Sequence, residues 1–564
     1  MTYLERCRQF RWNLPASFNF AADVVDAWAR DPEKLALLWC DEAGREERYT
    51  FRDIAERSKR LGSLLRSSGL AKGDRCIVML PRLPQWQIAM VGCLRVGVIP
   101  IPCIDMLTGR DVRYRVEHSG ATGVITTQES ASKFDGLSVL HMRAAIGGAP
   151  GWLDFDSALE EADPACEPEK IGLEDPVAIY YTSGSSGNPK GVTHAARALY
   201  AWRYSSLYWH DLKPDDLMWC TADTGWSKAG TAILYGPWSC GAAVLFYSGR
   251  FDPRERLALL ARHRVSVFCA AATEFRRLVN EDVSAHDLSR LRLAVSAGET
   301  VNPEIVRRWQ ALTGKPLLDA YGQTETLMTV CNYPFMPVKP GSMGRPLPGL
   351  KTKIIDGQLA IELPNPQMML GYWNEPERTR AAIARDGDAE YWLTGDMVRE
   401  DGDGYLFYEG RADDIIGSAG YRIGPMEVES ALIEHEAEVL YFLNSPSGRA
   451  AVVELTMAEL LDAEEPEQPE QPVQQEQVEL QERRAPQVRL EPLVLLVRPE
   501  LQEQLVLLGL LVPLAPLEQL APLELQALQE LQELQELLAL QALLEQQALL
   551  VQQALLARLE QRAR

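Results

Sequence analysis

Short apolar runs rich in β-branched residues alternate with helical patterns from about Phe18 to Val439, and several of the runs end directly in loops of glycine, serine and threonine. A strand buried on both faces reads as continuous apolar sequence, and its alternation with helical spacing marks a largely parallel sheet covered by helices. The chain is therefore expected to be an α/β protein. Thr50 to Leu70 carries Ile54, Leu61, Leu64 and Leu65 on one stripe, which predicts an amphipathic helix. Cys76 to Leu80, Gly123 to Thr126, Val177 to Tyr181, Ala243 to Tyr247, Val265 to Cys269 and Leu291 to Val295 predict strands. Open sheets of this kind bind ligands beyond the carboxyl ends of their strands, so the small-residue loops are where chemistry is expected.

At 564 residues, 46% hydrophobic and 24% charged, the chain can bury a large core and is too long for one ordinary domain. A net charge of −22 excludes nucleic-acid binding by bulk electrostatics. The charge is uneven: Ala451 to Arg564 holds 20 acidic and 7 basic residues, with 32 Leu, 20 Gln and no aromatic residue, so this part cannot belong to the same core. Glu464 to Gln487, rich in Glu, Pro and Gln, is expected to be a disordered linker. Beyond Leu523 helix formers dominate, but leucine pairs at 537/538, 543/544, 549/550 and 555/556 recur every six residues. Each such step turns a helix by a net angle of about 240°, so the pairs walk around it and form no coiled-coil seam. The ten cysteines show no CxxC pair or metal-ligand spacing and sit mostly in apolar runs, which fits small buried residues in a reducing cytoplasm. The start, Met1 to Arg6, has no apolar signal core, and no uncharged apolar run is long enough to span a membrane.

Val177 to Tyr181 leads into Thr182-Ser183-Gly184-Ser185-Ser186-Gly187-Asn188-Pro189-Lys190-Gly191. Glycines let backbone N–H groups approach phosphate oxygens, hydroxyls add donors and Lys190 adds charge, so the segment suits a polyphosphate. The spacing G-x-x-G-x-x-K with no Ser or Thr after the lysine excludes a Walker A loop. Further polar segments follow predicted strands or glycines in order: Ser296-Ala297-Gly298-Glu299, Tyr321-Gly322-Gln323-Thr324-Glu325-Thr326, Leu393-Thr394-Gly395-Asp396, Gly410-Arg411-Ala412-Asp413-Asp414 and Gly420-Tyr421-Arg422.

In this order the segments resemble the adenylate-forming superfamily of acyl-CoA synthetases, luciferases and peptide-synthetase adenylation domains, over roughly residues 18 to 440. The resemblance implies a large multi-subdomain N-terminal domain, the start of a small α+β C-terminal domain, and an AMP-forming acyl-CoA synthetase that uses ATP, Mg²⁺ and coenzyme A. It implies that Thr182, Ser183, Gly184, Ser185, Ser186, Gly187 and Lys190 hold the β- and γ-phosphates, and that Gly298 and Glu299 line the adenine. Tyr321 and Gln323 belong to the same nucleotide motif; Thr324 would meet the α-phosphate, Glu325 the Mg²⁺ and Asp396 the ribose hydroxyls. Arg411 and Arg422 would stand beside the nucleotide, Asp413 would be the hinge, and Gly420 would let the pantetheine of coenzyme A approach.

Thr221 to Lys228 with Tyr235-Gly236-Pro237-Trp238 looks most like the medium-chain and acetate branches. The acetate enzymes carry a tryptophan at the position of Gly322, so glycine here is expected to open the acyl pocket to a medium-chain, branched or aryl acid, with Trp226 as a wall. The family ends its C-terminal domain with a lysine that contacts the acyl carboxylate and α-phosphate, whereas this chain has no lysine after Lys353. Impaired adenylation is expected, and a non-catalytic ATP- or adenylate-binding protein is the rival reading. The expected division is 1–410 for the AMP-binding domain, 411–446 for the hinge and truncated C-terminal start, 447–522 for the linker and 523–564 for the low-complexity helix.

Overall fold

A computed structural model describes the backbone of residues 1–184, 187–412, 416–418 and 421–423, with side chains for 1–182 and 188–412. The backbone divides into two units, 1–430 and 431–564, and the second lies wholly outside the described residues. The expectations for the linker, the leucine-rich helix, Asp413, Gly420, Ser185 and Ser186 lie outside them too.

The largest sheet has nine strands, in spatial order Arg345–Pro346, Leu327–Cys331, Leu317–Gln323, Leu293–Ala297, Val267–Ala270, Leu217–Cys220, Ala243–Ser248, Leu35–Asp41 and Glu46–Thr50. The six strands from Leu317–Gln323 to Leu35–Asp41 pair in parallel, and antiparallel strands close both edges. The central strands are apolar throughout because both faces are covered. Val267, Cys269, Leu293 and Val295 enter one core cluster, while Phe268, Ala270 and Ala294 enter the cluster on the other side, as the two-residue period of a strand requires. The six strands expected from sequence are all present, with ends displaced by up to three residues.

A second sheet of five strands, Ile99–Pro102, Arg75–Val78, Gly123–Thr127, Met142–Ile146 and Leu153–Asp154, is parallel throughout. The expected helix runs from Phe51 to Ser67. Thr50 caps it by accepting from the Asp53 N–H while the Asp53 carboxylate accepts from the Thr50 N–H. Its Phe51, Ile54, Leu61 and Leu65 are buried, each worth about 1.5–3 kcal/mol relative to exposure. Two larger antiparallel sheets stand at the site, and a two-stranded one pairs Ile416–Ser418 with Tyr421–Ile423. One of the larger two joins Pro176–Gly184, Gly187–Ala195 and Gly371–Tyr372; the other is built on Gln358–Leu363 and Ala389–Glu400, which also carries Leu406–Arg411. Among the described residues no helix is long and apolar enough to cross a membrane.

Parallel pairing decides where the site lies. Ala297 stands opposite Ala320 in register, so the chain leaves the Leu293–Ala297 strand into Gly298-Glu299 at the same sheet edge where the neighbouring strand runs on through Tyr321 and Gln323. Two of the sequence motifs are therefore adjacent because their strands point the same way.

Candidate active site

Asp396 is the hub of one half of the site. It is 4% exposed, on the Ala389–Glu400 strand, and faces two alternate residues of the Leu317–Gln323 strand. The Tyr321 hydroxyl donates to its Oδ2 at 2.5 Å and the Gln323 amide at 2.6 Å, while Gln323 also donates to the Thr394 carbonyl at 2.7 Å. Arg411, its cross-strand partner, brings a guanidinium nitrogen to 3.5 Å from Oδ1. Burial pushes the Asp396 carboxyl above its ordinary range, against the Tyr321 hydrogen bond and the Arg411 charge. An anion so placed accepts hydrogen bonds in a dry setting, which suits a pair of sugar hydroxyls.

A cavity of about 610 Å³ opens beside it, lined by Gly298, Glu299, Asp319, Tyr321, Gly322 and Arg411 among others. Gly298 has φ +95°, a conformation that favours glycine, and a Cβ there would have no atom within 4 Å. The Glu299 carboxylate accepts from the Thr273 N–H at 3.3 Å, which ties this turn to the neighbouring helix. Asp319 is buried at the cavity floor, where burial pushes its carboxyl up to about 7 against the N–H bonds it accepts from Val301 and Ala320.

The other half gathers around Lys190. Sequence reasoning expected a strand delivering a loop; the structure instead carries the antiparallel ladder on, pairing Thr182 with Lys190 and Gly184 with Gly187. The motif is thus a β-hairpin, with Gly184 and Gly187 paired in its ladder, Ser183 at a register shift between Thr182 and Gly184, and Lys190 on the return strand beside Thr182. The Lys190 ammonium lies 2.6 Å from Glu325 Oε1 and donates to the Tyr372 hydroxyl at 2.8 Å, and that hydroxyl donates to the same Oε1 at 2.8 Å. Burial raises the Glu325 carboxyl, but Lys190 and the Tyr372 hydrogen bond outweigh it and hold it below the ordinary value.

Glu325 is therefore ionised. The Thr324 hydroxyl lies 3.1 Å from the Ser227 hydroxyl, and its carbonyl accepts from His194 Nε2 at 2.8 Å. Burial depresses His194 to about 4, so the ring is a neutral prop. A second cavity, about 430 Å³, is lined by Thr182, Lys190, Glu325 and Tyr372 and shares Gln323 and Arg411 with the first.

Arg422 lies on the Tyr421–Ile423 strand, opposite Gly417, and its side chain is outside the described residues. Trp226 lines neither cavity and is 51% exposed, so it is not a core aromatic. Gly322 requires a correction. It was expected to leave the acyl pocket open, but a Cβ at 322 would fall 2.1 Å from the Leu327 carbonyl oxygen and 2.9 Å from Met328 Cα. The antiparallel Leu327–Cys331 strand crosses there at a register shift, so close backbone approach requires the glycine, and a tryptophan would displace that strand before it filled a pocket. Tyr372, Ser227 and His194 were not singled out from sequence. A lone tyrosine in Gly371-Tyr372-Trp373 carries no motif signal; its role appears only when the hairpin and the Glu325 turn meet over it.

Among the described residues no group of three or more His, Cys, Asp and Glu side chains forms a metal cage. One ionised carboxylate near Lys190, with a buried Thr182 hydroxyl that has no hydrogen-bond partner among the described residues, is instead a donor set suited to Mg²⁺ arriving on phosphate oxygens.

Two neighbouring cavities, one beside a buried carboxylate and one beside a lysine–carboxylate pair, suit an enzyme that binds a nucleotide. Residues 24–373 match the family described as AMP-binding enzyme, and the chain belongs to that family. It is 35% identical over 457 residues to the human acyl-coenzyme A synthetase ACSM3, mitochondrial, covering 76% of this chain and 77% of that protein. It is 36% identical over 465 residues to the rat acyl-coenzyme A synthetase ACSM4, mitochondrial, covering 77% and 79%. Among solved structures, a Brucella canis acyl-CoA synthetase superposes with TM-score 0.66 at 31% identity, over 77% of this chain and 84% of that one. The anthranilate CoA ligase AuaEII in complex with anthranoyl-AMP gives 0.69 at 26% identity, over 76% and 85%.

Two outcomes test this geometry. Gly322→Ala is expected to destabilise the protein by about 1–3 kcal/mol, because overpacking here is against backbone; a lowered urea midpoint checks it. Asp319 has a folded pKa above its unfolded one, so its contribution to stability is fully present below the ordinary aspartate pKa and is lost as pH rises through about 7. Asp319→Asn should remove that loss, giving a variant whose midpoint relative to the parent improves from pH 5 to pH 8. Buried His194 and His210 act in the opposite sense in both proteins and cancel from the comparison.

Proposed function

We propose that the chain is an AMP-forming acyl-CoA synthetase that activates a carboxylic acid with ATP and passes the acyl group to coenzyme A. The observation that carries this reading is the pair of cavities that share Gln323 and Arg411 in their linings, one ending on a buried hydroxyl-accepting Asp396 and the other on Lys190 and Glu325. A nucleoside and its triphosphate need these two environments side by side. In the first half-reaction a carboxylate oxygen bonds to the α-phosphorus as the bond to the pyrophosphate oxygen breaks. Lys190 and the Thr182 hydroxyl meet the charge that develops on the leaving group, while Thr324 stands at the α-phosphate. In the second, the thiol sulfur bonds to the acyl carbon and AMP leaves with the electron pair. Mg²⁺, held through Glu325, supplies neutralisation of phosphate charge.

The acid is proposed to be medium-chain or branched, supported by the Thr221 to Lys228 segment and its likeness to the medium-chain branch. An aryl acid is the alternative, favoured by the likeness to an anthranilate CoA ligase. Ten unpaired cysteines support a cytoplasmic location, although the curated relatives named above are mitochondrial. The division at 410, 446 and 522 and the roles of Arg422, Asp413 and Gly420 are proposed on the sequence pattern.

Calorimetry should show AMP and Mg-ATP binding to the full chain, with Asp396→Ala weakening both at least tenfold as charge-assisted hydrogen bonds to the ribose are lost. A non-catalytic binder would pass this test but give no ATP–pyrophosphate exchange with any carboxylic acid.

The segment after Lys353 contains no lysine, so adenylation lacks one electrostatic donor and is expected to run on the order of 10²- to 10³-fold below thioester formation from a supplied acyl-adenylate. Equal rates from acid with ATP and from the supplied adenylate would show that adenylation is not impaired.

A further inference from the structure

We propose that Tyr372 is a positioning residue for the triphosphate end of the site, its hydroxyl holding Glu325 in place while Lys190 moves onto phosphate oxygens. The inference rests on the ATP-dependent reading above. The three groups form a closed triangle with sides of 2.6, 2.8 and 2.8 Å, each corner from a different element: Lys190 from the hairpin, Glu325 from the turn after the Leu317–Gln323 strand, and Tyr372 from the short Gly371–Tyr372 strand.

Tyr372 is the corner best fixed by its own surroundings. Its strand pairs Gly371 with Thr193 and Tyr372 with Val192, two residues beyond Lys190, so tyrosine and lysine share one sheet. Its N–H donates to the Thr379 hydroxyl at 2.9 Å, and its buried ring lies against Trp392 with centroids 6.2 Å apart. Three residues earlier the Met369 N–H donates to the Glu325 carbonyl at 2.9 Å, tying the same segment to the Glu325 backbone. The tyrosine thus bridges the hairpin sheet and the nine-stranded sheet where the two motifs meet.

The chemistry of a phenol suits that place. It keeps its proton at neutral pH, so it donates to the carboxylate, while its lone pair accepts from the ammonium. Lys190 and Tyr372 both bind Oε1, which leaves Oε2 outside the triangle. When phosphate oxygens draw the ammonium away, a two-membered ion pair would lose its only restraint on the carboxylate. Tyr372 retains one, so Glu325 keeps its orientation.

Calorimetry on the full chain tests the proposal with AMP alone, and with ATP over a range of Mg²⁺ concentrations, in the parent and in Tyr372→Phe, which keeps the ring and removes the hydroxyl. The variant should bind AMP as the parent does, bind Mg-ATP about tenfold more weakly, and need more Mg²⁺ to reach half of its effect. Unchanged Mg-ATP affinity, or equal weakening of AMP and Mg-ATP, would overturn the positioning role. Failure of the parent to bind AMP would instead overturn the nucleotide reading itself. A second variant guards against indirect damage: in a Lys190→Met background Tyr372→Phe should cost Mg-ATP less than it does alone, and full additivity would count against the triangle.

Discussion

Parallel pairing of the Leu293–Ala297 and Leu317–Gln323 strands is the constraint on which the site depends. Parallel neighbours end at the same sheet edge, so two polar segments separated by more than twenty residues in sequence leave the core side by side. Their burial on both faces, in two separate core clusters, makes that alignment stiff. The antiparallel sheets then deliver Asp396 and Arg411 to the edge on paired strands, and Lys190 on a hairpin. Site precision therefore comes from strand register, and none of the described groups around the two cavities needs a long loop to reach its place.

Much of this was legible in the sequence, for physical reasons. A doubly covered strand must be apolar along its whole length, so Val267-Phe268-Cys269-Ala270 announces itself. Helix 51–67 is written in its stripe of Ile54, Leu61 and Leu65. The family resemblance carried by the glycine, hydroxyl and carboxylate segments implied Lys190, Glu325, Tyr321, Gln323 and Asp396 as site residues, and the structure brings those five into the linings of two cavities. What sequence could not give is contact between segments that no pattern links. Tyr372 meets Glu325 across 47 positions and His194 meets Thr324 across 130, and neither residue type is diagnostic alone.

Gly322 shows how a sound comparison can rest on the wrong force. Absence of a side chain there was read as space for substrate, yet the direction in which a Cβ would project is filled by the carbonyl of Leu327 at 2.1 Å. Leu327 itself sits at φ +56°, so the chain turns sharply enough to press its carbonyl onto the glycine. Backbone approach fixes residue 322 before any ligand is considered.

The two carboxylates of the site are tuned in opposite directions, and the reason is what lies beside each. Asp396 has neutral donors at 2.5 and 2.6 Å and its cation at 3.5 Å, so desolvation wins and its carboxyl is raised. Glu325, buried as deeply, has an ammonium at 2.6 Å and is lowered. A carboxylate poised by neutral donors is a good acceptor for further neutral donors such as sugar hydroxyls, because they finish its solvation without competing charge. One paired with an ammonium is held ionised by that charge despite its burial. Gln323 and Arg411 border both cavities, so the neutral half and the charged half share a wall. A ligand in either half would therefore touch the same two side chains that line the other.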